Sequence, residues 1–142
     1  MRDRLSLTIL MLLLGGMLRA AGPVLRLESP GKQLHAVLYS DNGKLYYSVW
    51  ANKLQLIDAS SLGIQFDNRS IGNDVQQLSL LQKRTIRETR PSRLNSNSAI
   101  NHCIEYTILV KGNSITDTIL FRLFDNGCAF SYRAAGADHG KV

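Results

Sequence analysis

The stretch from Ile115 to Arg133, ITDTILFRLFDNGCAFSYR, constrains the fold more than any other part of the chain. Ile119, Phe121 and Leu123 recur at period two, and Cys128, Phe130 and Tyr132 do the same after Asp125-Asn126-Gly127. Period two is the spacing of one face of a strand. Asn-Gly accepts the positive φ angles of a two-residue hairpin, so the spacing predicts two antiparallel strands joined by an Asn126-Gly127 turn. A lone hairpin is marginal in water and requires further strands to cover its apolar face.

The rest of the chain supplies them. Val24 to Glu28, Gln33 to Ser40, Lys44 to Ala51, Leu54 to Ile57, Ser61 to Phe66, Thr85 to Thr89 and Asn101 to Lys111 all read as strands. Asp41-Asn42-Gly43 repeats the hairpin-turn chemistry. Asn68 to Asp74 and Pro91 to Ala99 read as loops, and Val75 to Leu81 fits either a helix or a strand. Short strands punctuated by turn residues predict an all-β, antiparallel β-sandwich. Between Lys44 and Ala51, Leu45, Tyr47 and Val49 share one face, and Tyr46, Ser48 and Trp50 share the other.

The first residues follow a different logic. Arg2 and Arg4 precede an apolar run from Leu5 to Leu18, and Ala20 and Ala21 follow it. That order describes a secretory signal, and the run is shorter than the about 20 residues of a membrane span. The expected organisation is a signal peptide over 1–21, a sandwich over 22–136 and a frayed tail over 137–142. The mature protein is then exported, to the periplasm or the extracellular space, and does not span a membrane. Asn68-Arg69-Ser70 matches a glycosylation sequon, a pattern frequent by chance.

Export permits a disulfide between Cys103 and Cys128. Strand parity groups Cys128 with Phe130 and Tyr132, but Cys103 with Glu105 and Thr107, which argues mildly against the bridge. One buried thiol and one half-exposed thiol are the alternative.

The chain carries a net charge of +6. Much of the excess sits in Lys83, Arg84, Arg87, Arg90 and Arg93, opposed only by Glu88. Arginines three apart would line one cationic edge of an extended segment. Export removes nucleic acid as a partner, leaving an acidic polysaccharide, a membrane surface or a solvated connection.

Catalysis needs groups that converge, and the acidic residues are scattered. Glu105 and Asp117 are the exception, because their strands are predicted neighbours. Two strand carboxylates at a suitable distance serve glycosidases as acid and base, although exposed charges on the wet face of a sheet are commoner. His35, His102 and His139 lack the spacing of a metal site. The chain has no nucleophile elbow and no phosphate loop. No catalytic or metal-binding residue is therefore assigned. Trp50 and Tyr46 are the candidate carbohydrate-binding residues, since rings stack on sugars, although packing inside a sandwich is the ordinary use of such aromatics.

Several segments, in order, resemble one family. These are Leu27-Glu28-Ser29-Pro30-Gly31-Lys32, then Gly43-Lys44-Leu45-Tyr46-Tyr47-Ser48-Val49, then Ser61-Leu62-Gly63-Ile64, then Asn101 with Glu105-Tyr106-Thr107. Phe121-Arg122 with Asp125-Asn126-Gly127-Cys128-Ala129-Phe130-Ser131-Tyr132 completes the set. Together they resemble the N-terminal domain of glycoside hydrolase family 97. The resemblance implies a galactose mutarotase-like two-sheet sandwich, of which this chain would be an incomplete first part, packing on a catalytic (β/α)8 barrel. It implies exported, calcium-dependent enzymes acting on α-linked glucosides or galactosides. Ser131 stands where the family usually has Arg, and Thr89-Arg90-Pro91-Ser92-Arg93 replaces a segment with tryptophan and glycine. The family's barrel, its catalytic carboxylates and its calcium-site acid have no counterpart position here, so no cofactor is expected in this chain. The expected role is a supporting or carbohydrate-binding module of an α-glycosidase. The alternatives are a stand-alone sugar- or envelope-binding sandwich and a remnant without activity.

Overall fold

The computed structural model describes residues 22–66, 69–91 and 98–133. The expected signal peptide, Asn68 of the sequon, Arg93 and the tail with His139 lie outside the described residues. The strands are β1 Val24–Glu28, β2 Leu34–Asp41, β3 Lys44–Ala51, β4 Leu54–Ser61 and β5 Ile64–Phe66. They continue with β6 Arg69–Ile71, β7 Gln77–Pro91, β8 Ser98–Lys111, β9 Thr116–Phe124 and β10 Gly127–Arg133. One antiparallel sheet has the order β1-β2-β3-β4 and a second the order β10-β9-β8-β7, while β5 and β6 form a short ribbon. The architecture is the expected all-β sandwich. Among the described residues no helix is long and apolar enough to cross a membrane.

Alternation builds the core. Leu34, Ala36 and Leu38 of β2 and Leu45 and Val49 of β3 pack with Tyr106, Ile108 and Val110 of β8 and Ile119, Phe121 and Leu123 of β9. Each fully buried side chain of this size stabilises the fold by roughly 1.5–3 kcal/mol relative to exposure. Tyr106 also ties the sheets together, because its hydroxyl donates to Glu28 O at 2.6 Å and accepts from Glu28 N at 3.0 Å.

Both hairpins form, with different turns. Asn42 (φ 48°) and Gly43 (φ 76°) are both left-handed, as a type I′ turn requires. At the second hairpin Phe124 pairs with Gly127, so Asp125-Asn126 is the turn, and neither residue has positive φ. The turn thus sits one residue earlier than the Asn-Gly signal predicts. Asp125 is held there by the β1–β2 loop, where Gly31 N donates to its Oδ1 at 2.7 Å. A two-residue change of pairing partner leaves face parity intact, so Cys128, Phe130 and Tyr132 still lie opposite Leu123, Phe121 and Ile119.

Three other expectations change. β4 runs unbroken through Ser61, but its register against β3 shifts twice, and bulges erase the alternation that marks a strand. Val75 to Leu81 and Thr85 to Thr89 merge into β7, one 15-residue strand with an irregularity between Leu80 and Gln82. The expected loop over 68–74 contains β6, whose three residues are too few to show a period.

Candidate functional site

Trp50 and Tyr46 lie on the outer face of the first sheet rather than between the sheets. The cause is that they alternate with buried Leu45 and Val49, which take the inner face of the same strand. His35 of β2 is the cross-strand partner of Trp50, and Tyr39 that of Tyr46. The His35 and Trp50 rings stack at 5.3 Å with planes 3° apart, and Tyr39 and Tyr46 stack at 5.7 Å. Ser48 lies between the two pairs and is only 3% exposed. The rings thus form a four-residue aromatic row, flanked by Glu28 beside His35 and by Gln55 beside Trp50. His35 and Tyr39 were not expected in it, although β2 and β3 flank the Asn42-Gly43 turn, whose register places them opposite.

Glu105 and Asp117 do not pair. β8 and β9 are neighbours as expected, but Glu105 pairs with Arg122 and Asp117 with Val110 in the ladder. Those rungs are about 17 Å apart along the strand. Parity also separates them: Asp117 shares the inner face with Ile119 and Phe121, whereas Glu105 shares the outer face with Cys103. Nor are they exposed surface charges, being 6% and 4% accessible. Arg84 Nη2 and Arg122 Nε each reach Glu105 at 2.7 Å, and Arg69 pairs with Asp117. Burial alone would push the Glu105 carboxyl up, but hydrogen bonds and charge from Arg122 and Arg84 hold it below its ordinary value. A buried charge requires such partners, and the arginines lie 17 to 48 residues away in sequence.

The arginine stripe runs along the edge strand β7, with the Arg90 side chain and Arg93 outside the described residues. Strands alternate, so Arg84 faces outward opposite Glu105 while Arg87 lies opposite His102 on the other face. The cysteines are free, Cys103 buried and Cys128 half-buried. Strand β9 separates them and they occupy opposite faces of the second sheet. Two strand spacings are about 9.6 Å, beyond the roughly 7 Å limit for bridging Cα atoms. Burial pushes both thiols up from their ordinary value.

A calcium ion does not fit the described residues. They hold no group of three or more His, Cys, Asp or Glu side chains able to take a metal. The two buried carboxylates carry arginine, which repels a cation.

The fold and the outer aromatic row define an antiparallel two-sheet β-sandwich module. The chain belongs to the glycosyl-hydrolase 97 N-terminal family, whose profile matches residues 27–142, from β1 through the last strand. No curated protein matches it.

Proposed function

We propose that this chain is the supporting sandwich at the N-terminus of an exported family 97 α-glycosidase. The family match over 27–142 carries the reading. Hydrolysis of α-glucosidic or α-galactosidic bonds belongs to a (β/α)8 barrel outside this sequence, with calcium bound there. The sandwich supports that barrel and helps to hold the glycan. The charge and apolar pattern of residues 1–21 supports export to the periplasm or beyond.

The aromatic row supports a glycan contact. Trp50 and Tyr46 are half-buried on an outer face, so their rings are within reach of a ligand. Each ring gives one face to its cross-strand neighbour, which favours an edge-on contact with a glycan chain over flat stacking on both faces. Affinity electrophoresis in gels containing soluble α-glucan tests this. Retardation that is lost in Trp50→Ala and reduced in Tyr46→Ala is expected. Equal mobility with and without glucan would overturn the binding role and leave support of the barrel alone.

A further inference from the structure

At one end of the sandwich the β6–β7 loop and the β8–β9 turn enclose a concavity of about 250 Å³. Arg69, Asp117, Asn73, Asp74, Asn113 and Ser114 are among the residues that line it. We propose that this concavity is a second ligand site, one that takes a single neutral sugar ring. The choice of sugars rests on the glycosidase reading above, but the site is separate from the aromatic row.

Three observations lead there. Asp117 occupies the core-facing row of β9, where Ile119, Phe121 and Leu123 follow it, yet it is a charge only 4% exposed. Well-packed apolar residues commonly serve stability as well as a buried ion pair, so the pair is better explained by what it presents to the cavity.

The walls are also preformed. Gly112 N donates to Ile115 O at 2.8 Å, Gln76 N to Lys111 O at 2.8 Å and Val75 N to Gly43 O at 2.8 Å. A Cβ on Gly112 would stand 3.3 Å from Asp74 O, so the missing side chain lets the two loops close together.

Finally, the lining selects the ligand. Guanidinium, carboxylate, amide and hydroxyl groups offer both donors and acceptors, as vicinal hydroxyls require. Val110 and Ile115 supply apolar surface for C–H groups. Arg69 offsets the charge of Asp117, and Asp74 leaves the lining with a net negative charge, which disfavours an anion. The volume falls below the roughly 300–1,000 Å³ typical of drug-sized ligands, which suits one ring and not an oligosaccharide.

The test is amide NMR of the purified ¹⁵N-labelled chain, titrated separately with glucose, galactose, maltose and inorganic phosphate. Saturable shifts with a sugar at Asn73, Gly112, Asn113 and Ser114, with the Trp50 indole unmoved, are expected. Ser114→Trp, an exposed turn substitution, should weaken them about tenfold or more while the rest of the spectrum is retained. Asn73→Ala is the second variant, expected to weaken binding without filling the cavity. A response to free monosaccharides as well as maltose identifies a free-sugar site, and a response to maltose alone identifies a chain-end site; both support the proposal. Shifts with phosphate only, shifts confined to the aromatic row, or no saturable shift would overturn it. Loss of glucan retardation in Trp50→Ala bears on the aromatic row and leaves this result independent.

Discussion

Single side chains do two jobs in this sandwich. Tyr106 fills the core with its ring and links the sheets with its hydroxyl. Tyr106→Phe keeps the ring and leaves Glu28 N and O without that partner. A loss of about 1–2 kcal/mol is expected, read from urea unfolding. Glu105 gives a pH signature. Its folded-state pKa lies below the unfolded value, so its contribution is fully present above the unfolded pKa and fades as pH falls through the folded one. Glu105→Gln should therefore destabilise at neutral pH and converge with the parent in acid. Both arginines are substantially exposed, so the neutral-pH difference should be on the order of 1 kcal/mol or less. Thermal unfolding from neutral pH down to below the ordinary carboxylate range measures both. Much at this scale was legible in the sequence: the faces of Leu45, Tyr47 and Val49 follow from period two alone. The partners of Glu105 and Asp117 were not, because a cross-strand ion pair leaves no local pattern. The side on which Trp50 and Tyr46 fall was also hidden, since both faces of β3 carry large residues and only the opposing sheet decides between them.

Elements were legible where turn chemistry is local and blurred where tertiary contacts decide. Asn42-Gly43 forms the turn its residues predict, whereas Asp125-Asn126 yields to a loop 94 residues away in sequence. The Ser29 hydroxyl and the Gly31 amide hold the Asp125 carboxyl below its ordinary value. The β5–β6 ribbon escaped the period argument, yet the residue after it is a glycine whose position admits no side chain. Gly72 has φ +84°, and a Cβ there would stand 2.4 Å from Leu62 O. Its neighbour Ile71 is 1% exposed, so the clash falls at the edge of the core. Gly72→Ala should cost more than the about 1 kcal/mol of an ordinary left-handed alanine, seen as a lower urea midpoint. Gly127→Ala is the contrast, with nothing within 4 Å of a new Cβ and no positive φ, and should change stability little.

At the scale of the molecule, the sheet edges differ. β7 carries Lys83, Arg84, Arg87 and Glu88, β4 carries register shifts, and β1 is short and contains Arg26 and Glu28. Strand β10 reads Gly-Cys-Ala-Phe-Ser-Tyr before Arg133, with no charge inside it, and Phe130 is 41% exposed. Uncharged edges with exposed apolar residues invite pairing with other chains. The isolated chain should self-associate as concentration rises, and Ser131→Lys should shift it toward monomer without a change in melting temperature. Light scattering against concentration tests this.

The claim that joins these scales is that the sandwich is one part of a larger family 97 hydrolase. An antibody raised to the β9–β10 hairpin, applied to a denatured extract of the source cells, measures the mass of the native product. A species several times the 15.8 kDa of this chain is predicted. Such a product should hydrolyse α-glucosides or α-galactosides and lose activity when calcium is chelated. A species near the mass of this chain, in an extract without larger reactive bands, would contradict the account and leave a sugar-binding sandwich or an inactive remnant in its place.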